Sequence, residues 1–158
     1  MAGMAPAPLL ATRHSRQFDR DSIHTVTRFA IDPGALVEIA TGARPVNPRH
    51  QLVAPNSIRS EALNLLLLRV RGGELAENVA LGLLERVTEV KMRLLGDRVS
   101  RRTAWEIARE RGWETIDAAE YLAVARLQAD ALIATDPDLA AAAAGVVTLA
   151  PLSALFTD

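Results

Sequence analysis

The chain has 158 residues, 49% of them hydrophobic and 23% charged, which fits one globular domain with a real core rather than a disordered segment. It contains no cysteine, so disulfides and thiolate metal sites are excluded, and His14, His24 and His50 lack the spacing of a zinc site. With a net charge of −1 and a pI near 6.3, nucleic-acid binding would need a local basic patch.

Residues 1–24 read as a flexible tail, with Pro6 and Pro8 followed by Arg13, His14, Arg16 and Arg20 and no sustained periodicity. The first ten residues place no positive charge before their apolar side chains, so they do not read as a secretory signal. The longest apolar stretch, residues 62–68 interrupted by Asn64, is too short to span a bilayer. A cytoplasmic protein with no membrane partner is expected. The domain proper is assigned to residues 25–158. Its positive charge is almost all arginine, Lys91 being the one lysine, and alanine and leucine abound. This is the bias of a GC-rich bacterial genome and carries no functional information.

A first strand is expected over residues 25–31, then a short helix over 34–41 closed by Gly42. A Pro45/Pro48 loop leads to a brief strand over 52–54. Pro55-Asn56-Ser57 opens a helix that runs to Arg71, with Asn56 or Ser57 as N-cap, and Gly72-Gly73 stops it. The next helix, residues 74–89, carries Leu75, Val79, Leu83 and Val87 at helical spacing. A short strand over 91–95, a helix over 99–111 ended by Gly112, and a helix over 116–128 capped by Thr115 follow. Then come a strand over 131–135, a helix from Pro137, a last strand over 146–149 and a terminal turn. Strands alternating with helices imply βαβ units and a mainly parallel sheet, hence an α/β fold. Neither GxGxxG after the first strand nor GxxxxGK[ST] anywhere is present, which disfavours dinucleotide and P-loop nucleotide binding.

This pattern brings four carboxylates to one edge. Asp32 ends the first strand and Asp136 ends the strand over 131–135, while Glu61 and Asp117 fall in first turns of helices. The C-terminal ends of parallel strands and the starts of the following helices share the edge where such folds bind ligands. Converging carboxylates repel one another, and a hard divalent cation with oxygen ligands relieves the repulsion. Asp32 and Asp136 are expected on neighbouring parallel strands, their carboxylates within ~12 Å, the reach of one or two shared ions. At least one of the four acids is expected to have a raised pKa. Asp32→Asn is expected to lower metal affinity while leaving the metal-free protein no less stable, since it removes repulsion. Asp138 is a candidate fifth ligand or a first-turn acid that answers the helix dipole.

Four segments resemble the PIN domain, and within it the VapC-type toxins of bacterial toxin–antitoxin systems. They are Phe29-Ala30-Ile31-Asp32, the stretch from Pro55-Asn56-Ser57 through Glu61-Ala62-Leu63, Asp117 with Glu120-Tyr121-Leu122-Ala123-Val124-Ala125, and Asp130-Ala131-Leu132-Ile133-Ala134-Thr135-Asp136. The resemblance implies a three-layer α/β/α sandwich and a Mg²⁺- or Mn²⁺-dependent endoribonuclease that leaves a 5′-phosphate and a 3′-hydroxyl. It implies Asp32, Glu61, Asp117 and Asp136 as the metal-holding acids. It also implies a homodimer and an antitoxin partner. The chain departs from the family pattern in three places. Pro33 stands where Ser or Thr is common, Ala118 holds the register of the third acid with Asp117 one residue early, and Thr135 is shifted by one from the usual Thr position.

On the helix over 99–111, Arg98, Arg101, Arg102, Trp105 and Arg109 share one face, and Ala104, Ile107 and Ala108 share another. Arginine interleaved with an aromatic suits phosphate contact and base stacking, which makes this a candidate RNA-binding face or an ordinary solvated one. Trp113 lines the groove or packs structurally. The leucines at 65–68 exceed what one helix face needs, which fits two-sided burial or a dimer or antitoxin interface. The departures at Pro33 and Ala118 motivate a second expectation, a PIN-fold RNA- or protein-binding module with a weakened or inactive metal site. A Mg²⁺-dependent phosphotransfer domain is disfavoured, because only Lys91 is available to partner a phospho-accepting aspartate.

Overall fold

A computed structural model describes residues 26–156; the predicted tail over 1–24 and Thr25 lie outside the described residues. The first apolar run has no polar face, and Phe29, Ala30 and Ile31 are fully buried in β1 (Arg28–Ile31), as a strand covered on both sides requires. α1 (Pro33–Thr41) starts at once, with Pro33 in its first turn and Gly42 closing it at φ +69°. There follow β2 (Gln51–Pro55), α2 (Ile58–Arg71), α3 (Glu77–Glu89), β3 (Arg93–Leu95) and α4 (Arg98–Arg111). Next are α5 (Asp117–Gln128), β4 (Ala131–Ile133), α6 (Pro137–Ala143) and a 3-10 turn at Leu152–Leu155.

The strands form one sheet in the order β3-β2-β1-β4, with every pairing parallel. Crossovers between parallel strands are right-handed, and this assigns the layers. The chain steps one way from β1 to β2 to β3, which sets α1, α2 and α3 on one face. It steps the other way from β3 to β4, which sets α4 and α5 on the opposite face. The packing agrees: α1, α2 and α3 contact one another, while α5 lies on β1, β2 and β4 and carries α4. The fold is therefore an α/β/α sandwich around a parallel sheet. Strand order reverses between β1 and β4, and that switch point opens a crevice at the carboxyl ends of the two strands.

Element bounds move by up to three residues from those read in the sequence, and three further expectations change. The buried face of α3 is Ala80, Leu83 and Val87, while Val79 is exposed. The helix is turned so that small Ala80 lies in the packed layer. The strand expected over 146–149 is reduced to one parallel bridge, Leu132 to Leu149. Two hydrogen bonds hold it, Leu132 N–H to the Thr148 carbonyl (2.8 Å) and Ala150 N–H to the Leu132 carbonyl (3.0 Å). Pro151, next in sequence, has no N–H with which to extend the ladder. The N-cap of α5 is Ile116 rather than Thr115, with no side-chain cap. Among the described residues no helix is long and apolar enough to cross a membrane.

Candidate functional site

Asp32 leaves β1 into the crevice and is completely buried. A buried carboxylate is tolerated only when its oxygens are satisfied, and here they are. Oδ1 accepts Ala35 N–H at 2.9 Å and the Thr135 hydroxyl at 2.8 Å; Oδ2 accepts Thr135 N–H at 2.7 Å and Asp136 N–H at 2.9 Å. A carboxylate has about four lone-pair sites, and all four are engaged. Asp32 thus ties the start of α1 to the end of β4, besides capping α1.

Gly34 belongs to the same knot. A Cβ there would overlap the Thr135 hydroxyl oxygen and stand 3.2 Å from Thr135 Cβ. Gly34→Ala should therefore cost about 1–3 kcal/mol through overpacking. The double variant with Thr135→Ala should lose less than the sum of the two single losses, because both changes act on the same hydroxyl contact. Equilibrium urea unfolding of the two singles and the double measures this. Additive losses would show that the two residues are not coupled.

The other acids gather around Asp32. Glu61, in the first turn of α2, accepts hydrogen bonds at Oε2 from the Tyr121 hydroxyl and, at 3.4 Å, from the Ser57 hydroxyl. Asp136 caps α6 through Oδ1, which accepts Asp138 N–H at 3.2 Å. Asp117 is the exposed first residue of α5. Asp32, Glu61, Asp117, Asp136 and Asp138 line one cavity of about 1020 Å³, joined by Glu114 and, on its rim, by Trp113. Six carboxylates and one cation, Arg69, thus face the same space. Asp117 and Ala118 both reach its wall, so the one-residue register shift does not remove Asp117 from the site. Trp113 lines the cavity and also packs against the core.

The fold matches the crystal structure of PAE2754 from Pyrobaculum aerophilum with a TM-score of 0.60. The two chains are 24% identical over 82% of this chain and 93% of that one, a likeness that carries the fold alone. No protein-family model and no curated protein matches this chain.

The acid whose pKa the structure raises is Glu120, which lies outside the four of the sequence expectation and which sequence reading used only as part of a motif. Partial burial raises its pKa above 4.5, and the charges of Glu61 and Asp117 raise it further; Arg101 and a hydrogen bond with Ser57 oppose the rise. Burial and the hydrogen bond with Glu61 likewise push the Tyr121 hydroxyl well above its ordinary range, so it stays a donor. A carboxyl with a raised folded pKa adds stability below its unfolded value and withdraws it as pH rises through the folded one. Glu120→Gln should therefore raise the melting temperature at pH 7 in EDTA, and the gain should vanish below pH 4.5. A gain that is equal at both pH values would mean that charge is not its cause.

The donor set fits a hard divalent cation in chemistry: every candidate ligand is a carboxylate oxygen, and the acids are crowded enough to repel. Glu61 Oε1, Asp136 Oδ2 and the Asp117 carboxylate are the oxygens such an ion would meet. Asp32 gains a lone pair for it only when the Thr135 hydroxyl turns its proton away. Among the described residues no three acids already converge as a ready chelate.

The arginine face lies apart from this cavity. Arg98, Arg101, Arg102, Trp105 and Arg109 are all exposed on α4, opposite the buried Ser100, Ala104, Ile107 and Ala108. Trp105 is 66% exposed. Arg102 is engaged by Glu106 at 3.2 Å one helical turn away. Arg101 is the member whose charge reaches the acids, through Glu120.

Proposed function

We propose that this chain is a Mg²⁺- or Mn²⁺-dependent endoribonuclease of the PIN type, the toxin member of a toxin–antitoxin pair. The observation that carries this is the gathering of acids from β1, α2, α5 and the end of β4 around one cavity at the topological switch point. When bound, such a cation supplies Lewis-acid chemistry, offsetting phosphate charge and making a water a better nucleophile. The chain's own part is positional. Asp32 and Thr135 hold β4 against α1, so that Asp136 projects beside the crevice. Tyr121 donates a hydrogen bond to Glu61 Oε2 and so fixes the rotamer of a side chain that lines the cavity. The exposed arginines and Trp105 of α4 suit the phosphates and bases of a single strand. Exposed Leu67 and Leu68 on α2, with Leu81 and Leu84 on α3, suit a homodimer or antitoxin contact. A cytoplasmic site of action accords with an RNA substrate.

A labelled single-stranded RNA incubated with the protein should be cut in Mn²⁺ or Mg²⁺ and left intact in EDTA, with products carrying 5′-phosphates. RNA left whole in Mn²⁺ at stoichiometric protein would refute the enzyme reading. One observation favours the second reading, a PIN-fold binding module with an inactive site: the lone pairs of Asp32 are all taken by protein donors. RNA retention without cleavage is the result expected of that module.

A further inference from the structure

At the opposite end of the sheet from the acids, a second cleft of about 390 Å³ has the reverse charge. Arg28, Lys91 and Arg93 line it with His50 and Gln51, and no carboxylate does. The strand register explains the gathering. Arg28 pairs with Gln51, and Val53 pairs with Arg93. Paired residues of parallel strands point to the same face, as do residues two apart along a strand. Arg28, Gln51 and Arg93 therefore project from one face, and Lys91, in the segment leading into β3, lines the same cleft. The 3.1 Å hydrogen bond from Arg28 Nε to Gln51 Oε1 is the direct sign of this. Two strand spacings and a two-residue offset put Arg28 and Arg93 roughly 10–12 Å apart at Cα. All three cations are exposed, and among the described residues no ion pair engages them. The acids nearby are Asp130, whose carboxylate accepts the Arg28 backbone N–H at 2.8 Å, and Asp97, which feels the charge of Arg93.

We propose that this cleft binds the sugar-phosphate backbone of single-stranded RNA at a distance from the acidic cavity, as an anchoring site for the flank of the substrate. The inference rests on the ribonuclease reading and extends it. RNA is favoured over an acidic protein by continuity. Arg93 opens the edge strand β3, with Lys91 two residues before it, and β3 leads through Arg98 and Arg101 on α4 to Glu120 beside the acids. That path carries Trp105, an exposed stacking surface of use to bases and of none to a run of carboxylates. The cavity of six acids repels phosphate, so affinity for a polyanion has to come from elsewhere on a chain whose net charge is −1.

The test compares the wild type with the double variant Lys91→Gln, Arg93→Gln, both residues being exposed. Binding of a 5′-labelled RNA of about 20 nucleotides is titrated in Ca²⁺ over a range of salt, and cleavage of an RNA of about 4 nucleotides is followed in Mn²⁺. The expected result is about tenfold weaker binding of the long RNA, with a log–log salt slope shallower by roughly 1.4, since each lost contact to a single strand removes about 0.7. The short RNA, which offers the cleft few phosphates beyond those held at the acids, should be cut about equally well by both proteins. Lys91→Arg with Arg93 intact should bind like the wild type. Unchanged affinity and slope for the long RNA, with the short RNA still cut, would overturn the cleft and leave the ribonuclease reading standing. The expected loss of long-RNA binding without cleavage of either RNA supports the cleft and removes the enzyme reading. Binding of poly-glutamate that the substitutions weaken, with RNA binding unchanged, assigns the cleft to an acidic protein and overturns the proposal.

Discussion

Asp32→Asn should destabilise the metal-free protein by about 2–3 kcal/mol, a fall in melting temperature of roughly 4–12 °C for a domain of this size. This reverses the expectation drawn from sequence, where removing one charge from an acidic cluster relieves repulsion. The reason is the donor arrangement around the side chain. Backbone N–H groups of Thr135 and Asp136 point at Oδ2, and that of Ala35 points at Oδ1. An amide must put its NH₂ at one of those places. On the Oδ2 side it opposes two backbone donors that cannot turn. On the Oδ1 side it opposes one, and the Thr135 hydroxyl can reverse to accept, so this is the cheaper outcome. Even there one buried N–H loses its acceptor, and the remaining bonds lose their charge assistance. Differential scanning calorimetry in EDTA decides the matter. An unchanged melting temperature would mean that the network around Asp32 is not formed.

Asp117→Ala should behave in the opposite way, lowering metal-dependent RNA cleavage on the order of 100-fold or more while leaving the melting temperature in EDTA within about 1–2 °C. Asp117 is exposed at the start of α5, faces the cavity and holds no network together. Ala118→Asp should give no gain in cleavage. Ala118 is half-buried and packs against the core, so a carboxylate there must be desolvated before it can reach the cavity, and the variant should lose stability instead. Cleavage rates and melting curves of the two variants, measured side by side, separate the roles. If Ala118→Asp raised cleavage and Asp117→Ala left it unchanged, the acid at 117 would have no part in the site.

The amino-acid sequence by itself determined the alternation of strands and helices and, with it, the edge to which Asp32, Glu61, Asp117 and Asp136 come. Apolar runs such as Phe29-Ala30-Ile31, without a polar face, read as strands buried on both sides. Local chemistry such as Pro33 after Asp32 and Pro137 after Asp136 marks helix starts. The arginine face of α4 was legible for the same reason, since helical periodicity is a local property. Only the tertiary structure decided what those residues do to one another. Thr135 and Asp32 are 103 residues apart, and nothing local marks Thr135 as the donor that saturates the buried carboxylate or Gly34 as the space that admits its hydroxyl. Glu120 reads only as part of a motif until Glu61 and Asp117 are set beside it. Arg28, Lys91 and Arg93 are scattered in the chain and become one cleft through strand register. Hydrogen-bond saturation, charge repulsion and clefts depend on distances between segments, and only the order β3-β2-β1-β4 sets those distances.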